Sequence, residues 1–448
     1  MLLLIDASGL EKWRKGLPSA MRAAAAAQGF AAQPNTVLIL PARGDEDFSA
    51  AIGVPDANAP GLWDLAKASE KLPAGTYRLA TGTPGQAAVG WLLGQYRFDK
   101  YTKAGEAIED RVLLTKDAAS IASTVAIAEA VALVRDLVNT PAADMGPEQL
   151  EDAAGAAAKA FGGKMSVTRG DALAEGYPMI AAVGRAADKA YQPRLIEVEW
   201  GSPKHPRLAI VGKGVSFDSG GLDIKTASGM RLMKKDMGGA AHAIALARLV
   251  MVSKLPVRLH LLIPAVENAI SGNAMRPGDI LRGRAGLSVE VHNTDAEGRL
   301  ILADALARAS EDQPELIIDF ATLTGAARVA LGPELPALFT DDDGLAEELL
   351  KSAGAESDPL WRLPLWSGYE DMLKSDIADL ANASDGPFAG AVTAALFLKR
   401  FVPPGIAWAH IDTFAWTPAD KPGRPKGGEA LGLRATWRML QARYASER

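Results

Sequence analysis

The stretch Val211-Gly-Lys-Gly-Val-Ser-Phe-Asp218-Ser-Gly-Gly221 carries a short apolar run, Leu208 to Val211, straight into a glycine-rich loop that holds one lysine and one aspartate. An apolar run that stops at glycines reads as a buried strand. The ends of such strands are where α/β proteins build their sites. Taken alone, the loop is read more plainly as a tight strand-to-helix turn with two solvated charges. The order GxxxxGK[ST] of a phosphate loop is absent.

Working outward, Arg258 to Ile263 and Glu315 to Phe320 read as further central strands, and Gly238 to Val252 and Ala303 to Ser310 as helices. That pattern predicts a larger C-terminal α/β domain with a central mixed sheet flanked by helices. Upstream, Val37 to Leu40 reads as a strand, Leu62 to Ala68 as a helix and Tyr77 to Ala80 as a strand, which predicts a smaller N-terminal α/β domain. Between the two, Ala118 to Val138 is rich in alanine, has no Gly or Pro, and stops at Asn139-Thr140-Pro141. Proline forces the residue before it out of the helical region, so the break is physical. The expected division is residues 1–117, a linker helix over 118–138, and a second domain over 139–448.

Composition narrows the function. A chain of 448 residues with 48% hydrophobic and 23% charged content buries a large core. A formal charge of -6 gives no electrostatic footprint for nucleic acid. There is no cysteine, which excludes disulfides, thiolate zinc, iron-sulfur clusters and a cysteine nucleophile, so any metal must be held by O and N ligands. Met1 to Leu10 reaches Asp6 after a brief apolar run without a basic leader, and no run approaches the roughly 18 to 20 apolar residues of a spanning helix. The expectation is a cytoplasmic protein with no membrane partner.

Two further blocks of charged residues near glycines accompany that glycine-rich loop. Leu222-Asp-Ile-Lys225 is followed by Met230-Arg-Leu-Met233-Lys-Lys-Asp236-Met-Gly-Gly-Ala-Ala241, which opens a helix with small residues. Asn293-Thr-Asp295-Ala-Glu297-Gly-Arg299-Leu300 places two carboxylates two residues apart with an arginine two further on. If that segment is extended, Asp295, Glu297 and Arg299 point to one side. Singly, each charge also reads as a solvated surface group. Together, three segments offer carboxylates beside glycines at strand ends, and converging acids call for a bound metal or a shared proton. Oxygen-rich ligation suits Mg, Mn or Zn, and a pair of ions is a recurrent hydrolytic device.

The string NTDAEGRL resembles the signature of the leucyl aminopeptidase family, the cytosol aminopeptidases of peptidase family M17. VGKGVSFDSGG, Asp-Ile-Lys225, Lys-Lys-Asp-Met-Gly-Gly-Ala-Ala and Ala321-Thr-Leu-Thr-Gly-Ala326 resemble its other blocks in the same order. Gly90-Trp-Leu-Leu-Gly-Gln-Tyr-Arg-Phe98 and Asn139-Thr-Pro141 also fit, so the similarity runs from about Gly90 onward, with little recognisable before residue 85.

The resemblance implies a metal-dependent aminopeptidase, leucine-type with broad specificity, whose metallopeptidase domain is the second one. Lys213, Asp218, Asp236 and Glu297 would hold one divalent ion and Asp218, Asp295 and Glu297 the other, the ions being Mn or Zn, with Mg or Co as alternatives. Lys213 would be neutral, because adjacent dications push off its proton. Lys225 would stay cationic and face the oxyanion, and Arg299 would hold a bicarbonate that relays a proton. Met233, Asn293, Ala296 and Thr322 would line the pocket for the first side chain, with Leu323 and Gly325 giving main-chain groups. By itself Met233 reads as core, since a methionine near a helix start is more often packing than pocket. Peptide substrates and a homohexamer of two stacked trimers complete what the family implies.

Of the histidines His205, His242, His260, His292 and His410, His292 adjoins the motif but reads as a strand-end residue with a backbone partner, and His242 reads as packing. Lys426-Gly-Gly-Glu-Ala-Leu-Gly432 departs from the Gly-Ala-Thr-Gly type of sequence usual there, so the pocket rim is expected to differ. Two other classes stay in view: a binding protein, including one for DNA, and a two-metal phosphoesterase, a class whose sites commonly recruit histidine.

Overall fold

The apolar runs that glycines and prolines punctuate become the strands of a mixed sheet. The computed structural model describes residues 1–41, 48–103 and 109–445. Two compact units divide the chain: Met1–Ala132 with Ala419–Lys426, and Leu133–Pro418 with Gly427–Arg448. The helix Ile121–Asn139, preceded by a 3-10 turn at Ala118–Ser120, runs from the first unit into the second.

In the first unit, Leu2–Ile5 pairs in parallel with Phe48–Gly53, which pairs antiparallel with Val37–Pro41. Gly75–Arg78 pairs in parallel with Arg111–Leu114. The strand expected at Tyr77 to Ala80 is therefore two residues early, and the helix expected at Leu62 to Ala68 is Ala66–Lys71. Trp63 to Leu65 are spent in a turn whose start is tied by the Gly61 amide to the Asp64 carboxylate.

The second unit is built on a nine-stranded sheet. Its order is Trp361–Arg362, Ala337–Phe339, Ala407–Asp412, Leu316–Ala321, Arg207–Gly212, Arg258–Asn268, Arg194–Trp200 and Lys164–Arg169, with Gly214–Asp218 also paired to the far half of Arg258–Asn268. The central strands are parallel, Ala337–Phe339 on one side and Arg194–Trp200 on the other join them antiparallel, and the edge strand Trp361–Arg362 is again parallel to its neighbour, which makes the sheet mixed as the sequence predicts. Strand Arg258–Asn268 runs five residues past its expected end, through Pro264. Proline is tolerated there because Pro264 falls where pairing passes from Arg207–Gly212 to Gly214–Asp218, at a break in the ladder.

Helix Gly238–Val252 packs on Arg207–Gly212 and Leu316–Ala321, and nearly all of its side chains are buried. A helix apolar all round is a core helix. Helix Glu297–Glu311 packs on the same strands, with Leu300, Ile301 and Leu306 in a core shared with Val211, Leu262, Ile317 and Trp408. Burial of each such side chain contributes about 1.5–3 kcal/mol. This helix begins six residues before the expected Ala303, at Glu297 itself.

The buried His242 shows how tightly the upper helix is fitted. Its Nδ1 is 2.7 Å from the Gly238 carbonyl oxygen and its Nε2 accepts the Leu431 amide at 3.0 Å, so the proton belongs on Nδ1 and the ring is neutral. Burial pushes its pKa down to about 4. A folded pKa below the unfolded value means the unfolded chain takes up a proton first as the pH falls, so stability is lost from about pH 6.5 down to about pH 4, by about 3 kcal/mol. Urea unfolding of the wild type and of His242→Gln at pH 7 and pH 4 should show the wild type losing that much more than the variant. Equal losses would overturn this account.

Candidate metal centre and active site

The parallel strands deliver their carboxyl ends to one place. Lys213 follows Arg207–Gly212, Asp218 ends Gly214–Asp218, Asn268 ends its neighbour, and Thr322 follows Leu316–Ala321. Asp236 comes from the 3-10 turn Met233–Met237 ahead of the buried helix, and Glu297 opens the helix Glu297–Glu311. A cavity of about 590 Å³ lies here, lined by Lys213, Asp218, Lys225, Met233, Asp236, Asn293, Asp295, Ala296, Arg299, Thr322, Leu323 and Gly325. Glu297, only 1% exposed, lies against Lys213, whose Nζ is 3.1 Å from Glu297 Oε1 and 2.6 Å from Asp236 Oδ2.

Two glycines make these approaches physically allowed. A Cβ on Gly298 would lie 2.3 Å from Lys213 Cε, so the bare backbone of the first helical turn is what admits the lysine. Gly220 has φ +88, and a Cβ there would meet the Asp223 carbonyl oxygen at 2.5 Å. The reversal it allows returns the chain so that Lys225 Nζ lies 2.7 Å from Asp218 Oδ2 and also contacts Asp295 Oδ1.

The electrostatics show a site built for more positive charge than the two lysines supply. Carboxylate oxygens of Asp218, Asp236 and Glu297 lie within 4.8 Å of one another. Burial, then the charge of Asp218, pushes Glu297 up to about 8 and Asp295 up to about 6. Glu297 Oε2 is buried without a hydrogen-bond partner. Burial also opposes the charge on Lys213 and Lys225, yet the surrounding carboxylates outweigh it and hold both above the ordinary lysine value. Asp236, opposed by burial, is held below the ordinary value chiefly by Lys213. Clustered acids with an orphaned buried oxygen fit divalent cations of the kind that take O and N ligands, and a dication beside Lys213 would reverse the sign of its shift.

One geometric expectation is corrected. Asp295, Glu297 and Arg299 do not share a side by extended alternation: Asp295 sits in a turn, while Glu297 and Arg299 are in the first turn of a helix. Residues two apart on a helix diverge. Arg299 accordingly turns to the Asn382 carbonyl oxygen, which its Nη1 reaches at 2.6 Å, and its Nε is buried without a partner. Burial lowers its pKa to about 10.

Several residues that order this site gave no signal in the sequence. Asn268 Nδ2 donates to Asp218 Oδ1 at 2.9 Å and to the Thr294 carbonyl oxygen at 3.2 Å. Asp223 Oδ2 accepts the Thr294 amide at 2.7 Å while the Asp223 amide donates to Thr294 Oγ1, clamping the glycine loop to the Asp295 turn. Asn382 Oδ1 accepts the His292 and Asn293 amides. Asp412 takes the Leu323 amide and the Thr324 hydroxyl, so of the Leu323 main chain the carbonyl oxygen is left for a ligand. Strand-end position is the one cue that Asn268 and Asp412 share with Asp218. No histidine lines the cavity: His292 lies 3.2 Å from both Glu290 and Asp385.

Known proteins resemble the chain over nearly all of its length. A family model described as the cytosol aminopeptidase family, catalytic domain, matches residues 132–437, and one for the M17 aminopeptidase N-terminal domain matches residues 1–114. The likeness thus reaches the N-terminal stretch in which the motifs left little to recognise. A probable cytosol aminopeptidase of Leifsonia xyli is 38% identical, covering 97% of this chain and 93% of that one. Another, of Syntrophotalea carbinolica, is 42% identical over 79% of this chain and 73% of its own. Among solved structures, cytosol aminopeptidase from Coxiella burnetii superposes with TM-score 0.93 at 45% identity over 99% of this chain and 97% of its own. The bottromycin maturation enzyme BotP in complex with Mn does so with TM-score 0.89 at 33% identity, covering 99% of both chains. With both of its domains matched and its carboxylate cluster suited to divalent metal, the chain belongs to the cytosol aminopeptidase family, M17, and is a metal-dependent aminopeptidase.

Proposed function

We propose that the chain removes single residues from the N-termini of peptides, leucine-type with broad specificity, using two divalent ions. The observation that carries this reading is the buried cluster of Asp218, Asp236 and Glu297 with an oxygen of Glu297 left unpaired. Lys213, Asp218, Asp236 and Glu297 would hold one ion, and Asp218, Asp295 and Glu297 the other. When bound, such a pair supplies an acidified water and polarises the scissile carbonyl. Mn is favoured by the metal of the BotP complex, with Zn, Mg and Co also matched to this ligation.

The chain's own groups do the rest. Lys225 Nζ, kept cationic by the carboxylates around it, neutralises the oxyanion that forms on the substrate carbonyl. Arg299, fixed through Nη1 with Nε unpaired, would hold a bicarbonate that supplies a proton acceptor where the cavity offers no histidine. Met233, Asn293, Ala296 and Thr322 border the first side chain, and the Leu323 carbonyl oxygen and the Gly325 amide border its backbone.

As to setting, no described helix is long and apolar enough to cross a membrane, and the net charge of -6 disfavours nucleic acid. We place the chain in the cytoplasm as a homohexamer of two stacked trimers, in line with its family. Leucine p-nitroanilide should be cleaved by metal-stripped protein only after Mn or Zn is restored, while N-acetyl-leucine p-nitroanilide should resist. Cleavage of the blocked substrate, or none with any metal, would sink the reading; turnover of an aryl phosphate instead would move it to a phosphoesterase.

A further inference from the structure

The cavity of the carboxylate cluster also holds two cations that the chemistry above does not use. Lys235, only 4% exposed, has its Nζ 4.8 Å from the centroid of the Phe414 ring. The Arg328 guanidinium carbon is 4.9 Å from the same centroid. Lys235, Arg328 and Phe414 all line the cavity, together with Leu323, Thr324 and Gly325. Among the described residues neither cation forms an ion pair. The nearby Asp412 carboxylate is engaged by the Leu323 and Thr324 amides and the Thr324 hydroxyl.

This arrangement is costly as it stands. A buried ammonium needs an anion or hydrogen-bond acceptors, and a second cation beside it raises the cost. The face of Phe414 offsets part of this through its quadrupole but offers no lone pair to the lysine N–H groups. A carboxylate entering the cavity would supply what the ring lacks, accepting from Lys235 Nζ or from the guanidinium fork of Arg328. The substrate's amine would belong with the acidic cluster, so the rest of the peptide is the part free to reach this wall. Lys235 adjoins the cluster residue Asp236 in the chain, so this wall begins beside the cluster and the residue after the scissile bond is the natural donor of the carboxylate.

We propose that Lys235, Arg328 and Phe414 form a carboxylate-binding subsite, selecting peptides whose second residue carries a negative charge, either a dipeptide's terminal carboxylate or an acidic side chain. The proposal rests on the aminopeptidase reading for its substrate orientation. The shared chemistry is the carboxylate, and the substrates below separate its two sources.

The metal-loaded full chain would be assayed on Leu-Gly, Leu-Gly-amide, Leu-Glu-amide and Leu-Gln-amide. At least one charged member should exceed its neutral twin in kcat/KM by about tenfold, mainly through KM, the size expected of one charge-assisted contact. Leu-Gly over its amide would point to the terminal carboxylate, and Leu-Glu-amide over Leu-Gln-amide to the side chain. In Arg328→Gln and in Lys235→Met the favoured ratio should collapse toward one; Arg328 is exposed, so its variant is not a folding test. Ratios near one in the wild type, or unchanged in both variants, would overturn the subsite. If no leucyl substrate is cleaved, the aminopeptidase reading fails first. The wall is then judged by saturation-transfer NMR with N-acetylglycine against N-acetylglycinamide: a carboxylate-specific signal removed by Arg328→Gln supports it, and no signal, or one that persists in the variant, overturns it.

Discussion

Glu297→Gln is expected to lower kcat/KM on leucine p-nitroanilide by about a thousandfold or more, and to leave the protein with less bound Mn after dialysis. Glu297 is the acid whose environment depends most on a cation: fully buried beside Asp218 and Asp236, pushed up to about 8, with Oε2 unpaired. Its partner Lys213 keeps a second carboxylate, Asp236, at 2.6 Å, so the amide does not strand a charge. With its pKa raised to about 8, metal-free Glu297 must take up a proton to fold at neutral pH, a cost the amide avoids, so the metal-free variant should be no less stable than the metal-free wild type. Losing the shared ligand proposed above, by contrast, would forfeit water activation and carbonyl polarisation, each worth several kcal/mol. Steady-state kinetics, metal analysis and thermal unfolding of both forms check this. A variant with full metal content and rate would remove Glu297 from the centre.

Lys225→Met should separate catalysis from metal binding. Lys225 Nζ contacts Asp218 and Asp295, and removing its charge lessens competition for those carboxylates, so Mn retention should hold or improve. On the proposed role, however, the oxyanion would lose a preorganised cation, and kcat should fall by about 10²–10³ with KM changed little. A loss confined to KM would make Lys225 a ground-state binding group. A kcat within about tenfold of wild type would take it out of the reaction.

These two lysines show where sequence reading stops. Lys213 and Lys225 each look like surface charges in their local strings, and the family resemblance gave them roles. What converts Lys213 into a buried neighbour of Asp236 and Glu297 is the meeting of a strand end, a 3-10 turn and a helix start. No local pattern encodes that meeting, because each partner comes from a different segment. The same holds for Asn268, Asn382 and Asp412, which position the site from strand ends and loops distant in sequence.

By itself the sequence determined the α/β character, the mixed sheet of the larger domain and the ligand chemistry available. Apolar runs, glycine punctuation and the absence of cysteine are local or compositional properties, and the physics that reads them is local too. Only the tertiary structure decided that Glu297 and Arg299 part company at a helix start, that strand Arg258–Asn268 runs through Pro264, and that Lys235 and Arg328 share Phe414. Helix onset, sheet register and loss of solvent are set by packing between segments, whose energies exceed the propensities of the short strings involved.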